Sequence, residues 1–96
     1  MKFLHVSFHF EYEETIEEML DKHGVCDYVR YSMVGSKDVE GKHFGTQVFP
    51  GNASVVQALV KDDKLDELLE ELKEFKNEKP SRHHLRAAVL PVEKSI

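Results

Sequence analysis

The feature that most constrains this chain is the spacing of its apolar residues. It runs at a period of two, then at the helical period, then at two again, breaks off, and repeats the same order. In residues 3 to 10, FLHVSFHF, Leu4, Val6, Phe8 and Phe10 fall on one face and Phe3, His5, Ser7 and His9 on the other, the alternation of a strand with one dry side. From Tyr12 the period lengthens. Tyr12, Ile16, Met19 and Leu20 share a helical face, acids crowd the first turn, and His23 and Gly24 follow as a stop signal. Residues 25 to 34, VCDYVRYSMV, return to strand-type side chains, with Val29, Tyr31 and Met33 on one side and Tyr28, Arg30 and Ser32 on the other. Cys26 opens this strand, where a small buried thiol is expected. A third strand is predicted over residues 53 to 60, ASVVQALV. Asp62 and Asp63 are expected to cap a second helix, whose stripe of Leu65, Leu68, Leu69, Leu72 and Phe75 is followed by lysines in the closing turns. A polar link, NEKPSRH, leads to a last strand over residues 85 to 92, LRAAVLPV.

Strand, helix, strand, strand, helix, strand, joined by right-handed and un-knotted connections, predicts an α+β sandwich of the ferredoxin-like βαββαβ kind. Its four-stranded antiparallel sheet carries both helices on one face. At 96 residues the chain is expected to form a single domain, residues 1 to 96. The other sheet face would carry His5, Ser7 and His9 among small and apolar neighbours. That mixture is too apolar to stay wet, so packing against further copies of the chain is expected.

Charge narrows the partners. Thirteen basic and eighteen acidic residues leave a net charge of −5, the opposite of what a phosphate backbone attracts, so no nucleic-acid partner is expected. No apolar run is long enough to span a bilayer, and the opening MKFLHVSFHFEYEE turns acidic where a signal peptide needs an apolar core, so no direct membrane insertion is expected. A lone cysteine agrees with a reducing compartment. The expected location is cytoplasmic.

Between the second and third strands, residues 36 to 52 (SKDVEGKHFGTQVFPGN) show no sustained period and read as a loop. Unstructured connections beyond roughly 12 to 15 residues are uncommon in small domains and usually functional, which makes this segment the expected seat of function. Gly35, Lys37, Gly41, Lys42 and Gly45 gather adaptable backbone N–H groups and positive charge there. Lys79, Arg82, His83, His84 and Arg86 form a second basic cluster before the last strand. Both are candidates for an anion or nucleotide site. The competing reading is that the glycines permit turns and the basic residues solvate a polar link.

The segment HFGTQVFPGNASVVQALV (residues 43 to 60), the acidic helix DDKLDELLEELKEF and the ending LRAAVLPVEKSI together resemble a short group within the PII-like signalling proteins. The likeness covers nearly the whole chain. It is most specific at His43-Phe44-Gly45-Thr46 and the Phe49-Pro50 pair. The resemblance implies a homotrimer of ferredoxin-like subunits whose bare sheet faces meet around a threefold axis. It also implies a small ligand of unassigned identity, for example an adenine nucleotide, in the clefts between subunits, and a loop that reports occupancy to a partner such as a membrane transporter or efflux system. The sequence departs from the nitrogen-regulatory pattern in three places: residues 36 to 52 contain no tyrosine to be uridylylated, NEKPSRH lacks a glycine-rich phosphate loop, and few basic residues follow the last strand. The resemblance therefore implies an architecture and a class of role, without catalysis.

The alternative reading is a divalent metal ion, as in the CutA-like divalent-cation tolerance proteins of the same fold, held by His5, His9 or His43. His5 and His9 share a strand face but stand about 13 Å apart at strand rise. One ion, whose ligands sit about 2 Å away, cannot bridge them within a chain, although copies converging on a threefold axis could supply three imidazoles. Histidines lining a polar subunit interface are the commoner explanation. An enzyme is the weakest reading: Cys26 has no placed base, and Glu70, Glu71 and Glu74 are expected on a solvated helix face.

Overall fold

Alternation in the first strand, β1 (Lys2–His9), buries Leu4, Val6 and Phe8 and leaves Phe3, His5, Ser7 and His9 half-buried on the opposite side. The structure, a computed structural model, describes residues 1–38, 41–43 and 52–96, with 36–38 and 41–43 described by their backbone. Phe10, expected to continue the dry face, is instead exposed in a 3₁₀ turn, Phe10–Tyr12. His9 is the reason, because the Glu11 N–H donates to its Nδ1 at 3.3 Å and turns the chain one residue early. The first helix, α1 (Glu13–Lys22), buries Ile16 and Leu20 and stops at Gly24, whose φ of 79° suits glycine. A Cβ at Gly24 would also come within 2.7 Å of Lys64 Nζ.

The second strand, β2 (Tyr28–Val34), starts three residues later than its composition suggested. The Val25 N–H still bonds the Leu20 carbonyl at 2.8 Å, so residues 25 to 27 are spent leaving the helix. Cys26 is consequently exposed rather than buried, with Sγ 4.0 Å from the Asp21 carbonyl oxygen. Part of the region read as a structureless loop is strand. β3 (Ser36–Asp38) and β4 (Gly41–His43) pair as an antiparallel ribbon, with Lys37 opposite Lys42 and Asp38 opposite Gly41. Strands of three residues are too short to display a period, which is why the sequence pattern conceals them. Residues 39–40 and 44–51, including Gly45, lie outside the described residues.

The fifth strand, β5 (Ala53–Val60), has the predicted bounds. The second helix, α2 (Leu65–Glu78), follows a 3₁₀ turn, Asp62–Lys64, so the two aspartates do not cap it. Asp62 instead pairs with the N-terminal amine at 3.2 Å. A further 3₁₀ turn, Pro80–Arg82, precedes the last strand, β6 (Arg86–Pro91).

The main sheet has the order β2-β5-β1-β6 and is antiparallel throughout. Both helices cover one face, closing a core in which Leu4, Val6, Ile16, Leu20, Val56 and Leu68 are fully buried. Each large side chain there contributes about 1.5–3 kcal/mol of burial. No described element covers the other face. Val29 and Tyr31 of β2, Leu59 of β5 and Leu90 of β6 expose between 48% and 58% of their surface there.

Candidate ligand-binding site

The register brings four strand ends to one end of the sheet. Val34 at the close of β2 lies opposite Ala53 of β5, Ala53 opposite His9 of β1, and two residues inward Ser7 lies opposite Arg86, the first residue of β6. The β3–β4 ribbon leaves from the β2 edge, and the basic link of residues 79 to 86 arrives at the β6 edge. Three strand spacings, about 14 Å, separate these edges. A single chain therefore puts both basic clusters at the same end of the sheet without joining them.

The members of the second cluster have different surroundings. Arg82 is 11% exposed and faces inward. Its Nη1 donates to the Phe75 carbonyl at 3.0 Å and to Glu78 at 2.7 Å, and its guanidinium lies 3.7 Å from the Phe75 ring centre and 5.4 Å from that of Tyr12. Arg82 thus satisfies a carbonyl at the end of α2 and fastens the link to α2 and to the 3₁₀ turn before α1, a use of arginine that a list of basic residues does not reveal. The His83 Nδ1–H donates to the Pro80 carbonyl at 2.9 Å, and the His83 and His84 rings lie 3.8 Å apart. Lys79 and Arg86 are exposed and His84 half-buried. In the first cluster, Gly35 joins β2 to β3, and Lys37 and Lys42 are register partners in the ribbon.

The histidines considered for metal have other partners. The His5 ring meets the Gln57 amide at 3.4 Å, and His9 holds the turn at Glu11 and stacks on Phe10 at 4.8 Å. Among the described residues, no three His, Cys, Asp or Glu side chains gather to hold an ion. His43 pairs by its backbone with Ser36. A groove of about 360 Å³ between the helices, lined by Met19 and Phe75, carries Glu18, Glu74 and Glu78 and a Lys22 already paired with Glu71, an acidic excess that disfavours an anionic ligand. Among the described residues no helix is long and apolar enough to cross a membrane.

Two polar groupings went unread in the sequence. Glu71, expected on a solvated face, is half-buried: it accepts from the Lys22 ammonium and lies 3.3 Å from His23 Nε2, tying α1 to α2. The Lys22 hydrogen bond, against a smaller desolvation cost and with help from His23, holds the Glu71 carboxyl below the ordinary carboxylate value. Glu13, the first residue of α1, accepts from the fully buried Ser54 hydroxyl. Burial alone would push its carboxyl up, but the hydroxyls of Ser54 and Ser32 and the Arg30 guanidinium together hold it down. The available signal was Ser54 itself, a hydroxyl in phase with Val56, Ala58 and Val60 on the core face of β5.

Solved structures share this fold. CPII from Thiomonas intermedia K12, a nitrogen regulatory PII-like protein bound to ADP, AMP and bicarbonate, superposes with a TM-score of 0.77 over 92% of this chain and 81% of its own, at 21% identity. The chain has the PII-like fold. The apo form of the same protein matches with a TM-score of 0.68 at 19% identity, covering 92% of this chain and 84% of that one. A candidate PII-like signalling protein from Thermus thermophilus matches with a TM-score of 0.68 at 15% identity, over 92% and 82% respectively. Neither a family model nor a curated protein matches the sequence. The PII-like fold agrees with the architecture that the resemblance implied.

Proposed function

We infer that this chain is a cytoplasmic PII-like regulatory protein that acts by binding and catalyses no reaction. It assembles as a homotrimer through its uncovered sheet face and takes a small anionic ligand of the adenine-nucleotide class where subunits meet. It acts on a partner protein, a membrane transporter or efflux system being the favoured class, through residues 36 to 52, of which 39–40 and 44–51 lie outside the described residues. One observation carries this reading: basic residues occur at both edges of one sheet end, on a chain whose fold is shared with a protein solved with ADP, AMP and bicarbonate.

An anion suits the residues available. Lys79, His84 and Arg86 at the β6 edge of one subunit, with Lys37, Lys42 and the backbone around Gly35 and Gly41 at the β2 edge of its neighbour, would offer charge and donors to phosphate oxygens. Gly45 belongs to the same proposed set and lies outside the described residues. Arg82 contributes indirectly, by fastening the link that carries its neighbours. The metal reading is not favoured, because His5 and His9 are engaged elsewhere.

Melting the protein against ADP, AMP, ATP, 2-oxoglutarate and bicarbonate, and separately against copper, zinc and nickel, tests the reading, since a ligand that binds only the folded state raises the melting temperature. A nucleotide should raise it, and Arg86→Ser should reduce the rise. A rise with metal alone, or with nothing, contradicts the proposal.

A further inference from the structure

The junction between β2 and the β3–β4 ribbon contains a break in register. Pairing with β5 runs in step from Tyr28 opposite Ala58 to Tyr31 opposite Val55, then resumes at Val34 opposite Ala53. Ser32 and Met33 therefore share a single counterpart, Ser54. Met33 takes a φ of 52°, a left-handed conformation that a side-chain-bearing residue adopts only at a cost. Unbroken pairing would instead set Ser32 opposite Ser54 and Met33 opposite Ala53. Everything beyond Met33 would then move by one residue and point to the other side of the sheet. The same sequence thus has two registers available at the point where the ribbon leaves.

Glu13 lies across this break. On β5 it accepts from the Ser54 hydroxyl, and on β2 the Ser32 hydroxyl also helps to hold its carboxyl below the ordinary carboxylate value. The Arg30 guanidinium, two residues before the break, stands 3.8 Å from the Glu13 carboxylate and grips Glu17 at 2.8 and 3.0 Å. Ser54 is fully buried, so its hydroxyl depends on that carboxylate as acceptor. Hydrophobic burial does not hold this end of β2, since Arg30 and Ser32 are the residues it turns toward the helices.

We propose that Glu13 is a positioning residue whose carboxylate clasps the β2 bulge and so sets the direction in which the chain leaves the sheet toward the β3–β4 ribbon. What the ribbon then does rests on the proposed ligand-binding role. The clasp itself is a property of the unliganded chain. Without it the strain at Met33 is unopposed and the in-step register takes over.

Amide hydrogen exchange and cross-strand nuclear Overhauser contacts, measured on the unliganded full chain, test this. In Glu13→Gln, protection at Tyr31, Val34, Ala53 and Val55 should fall roughly tenfold, the scale of one lost buried hydrogen bond, while Leu4 to Phe8 and Leu68 to Phe75 keep theirs. The contact between Val34 and Ala53 should give way to one between Met33 and Ala53. Adding Met33→Gly, which takes the left-handed conformation without strain, should restore the original contact. If Glu13→Gln does not fold, Ser32→Ala removes one of the two hydroxyls and should shift the same contact partway. Loss spread evenly over all strands, an unchanged register, or no rescue by glycine overturns the proposal. An ADP titration of the wild type runs alongside: its failure removes the nucleotide reading while leaving the clasp to be judged by exchange alone.

Discussion

β1 and β2 are both strands of one sheet, yet they are written the opposite way round. β1 turns Leu4, Val6 and Phe8 toward the helices and keeps its histidines and Ser7 on the outer face. β2 turns Arg30 and Ser32 toward the helices, where they meet Glu17 and Glu13, and leaves Val29 and Tyr31 outward. A central strand paired on both sides can be held by burial. An edge strand whose apolar residues face away from its own core needs polar ties to stay in place, and it keeps an apolar strip for something outside the chain. β1 is thus held by burial within the subunit, whereas β2 is tied to α1 by polar contacts and turns its apolar residues away from the core.

Substitutions that strike one strand and spare the other sharpen this contrast. Leu4→Ala opens a cavity in the core and should cost about 2–5 kcal/mol in urea unfolding; a loss under ~1 kcal/mol would show that β1 is not held by burial. Arg30→Ala removes the tie between β2 and α1. Because the side chain is 41% exposed and solvent screens the pair, the expected cost is only about 0.5–1 kcal/mol, weaker in high salt.

Acid should act through the carboxylates. Glu13 and Glu71 both have folded-state values depressed below 4.5, so their contribution is fully present above the unfolded value and disappears as the pH falls through the folded one. Unfolding measured from pH 6 downward should show stability falling below about pH 4.5, and Glu13→Gln should flatten part of that slope. The smallest effect on a single subunit is expected from Tyr31→Ser. On the outer face it should change subunit stability by no more than about 0.5 kcal/mol while weakening assembly. A larger loss in the isolated subunit would place Tyr31 in the core after all.

Much of the fold was legible because it is written in periods. The dry face of β1, the stripe of α2 and the full extent of β5 follow from spacing. Alternation separated the two sides of β2 but could not say which faces inward, because Arg30 and Ser32 become inward residues only through partners on another element. The β3–β4 ribbon was hidden by its length, and the bulge by its use of Met33 where glycine would have announced a positive φ. At the candidate site, composition identified the basic residues but not their allegiance. Nothing local to Arg82 reveals that Phe75 and Tyr12 lie beneath its guanidinium, and the acids at the start of α1 read as helix-terminal charges rather than as an acceptor for the buried Ser54 hydroxyl. These are contacts between segments distant in sequence, where spacing carries no signal.

If the outward apolar strip is an interface between copies, beside which the ligand is held, the chain must self-associate in solution. Light scattering on the purified chain at micromolar concentration measures this most directly. The expected mass is that of three chains, reduced to one by Tyr31→Asp with the fold retained by circular dichroism; a wild-type mass of a single chain would rule the interface out.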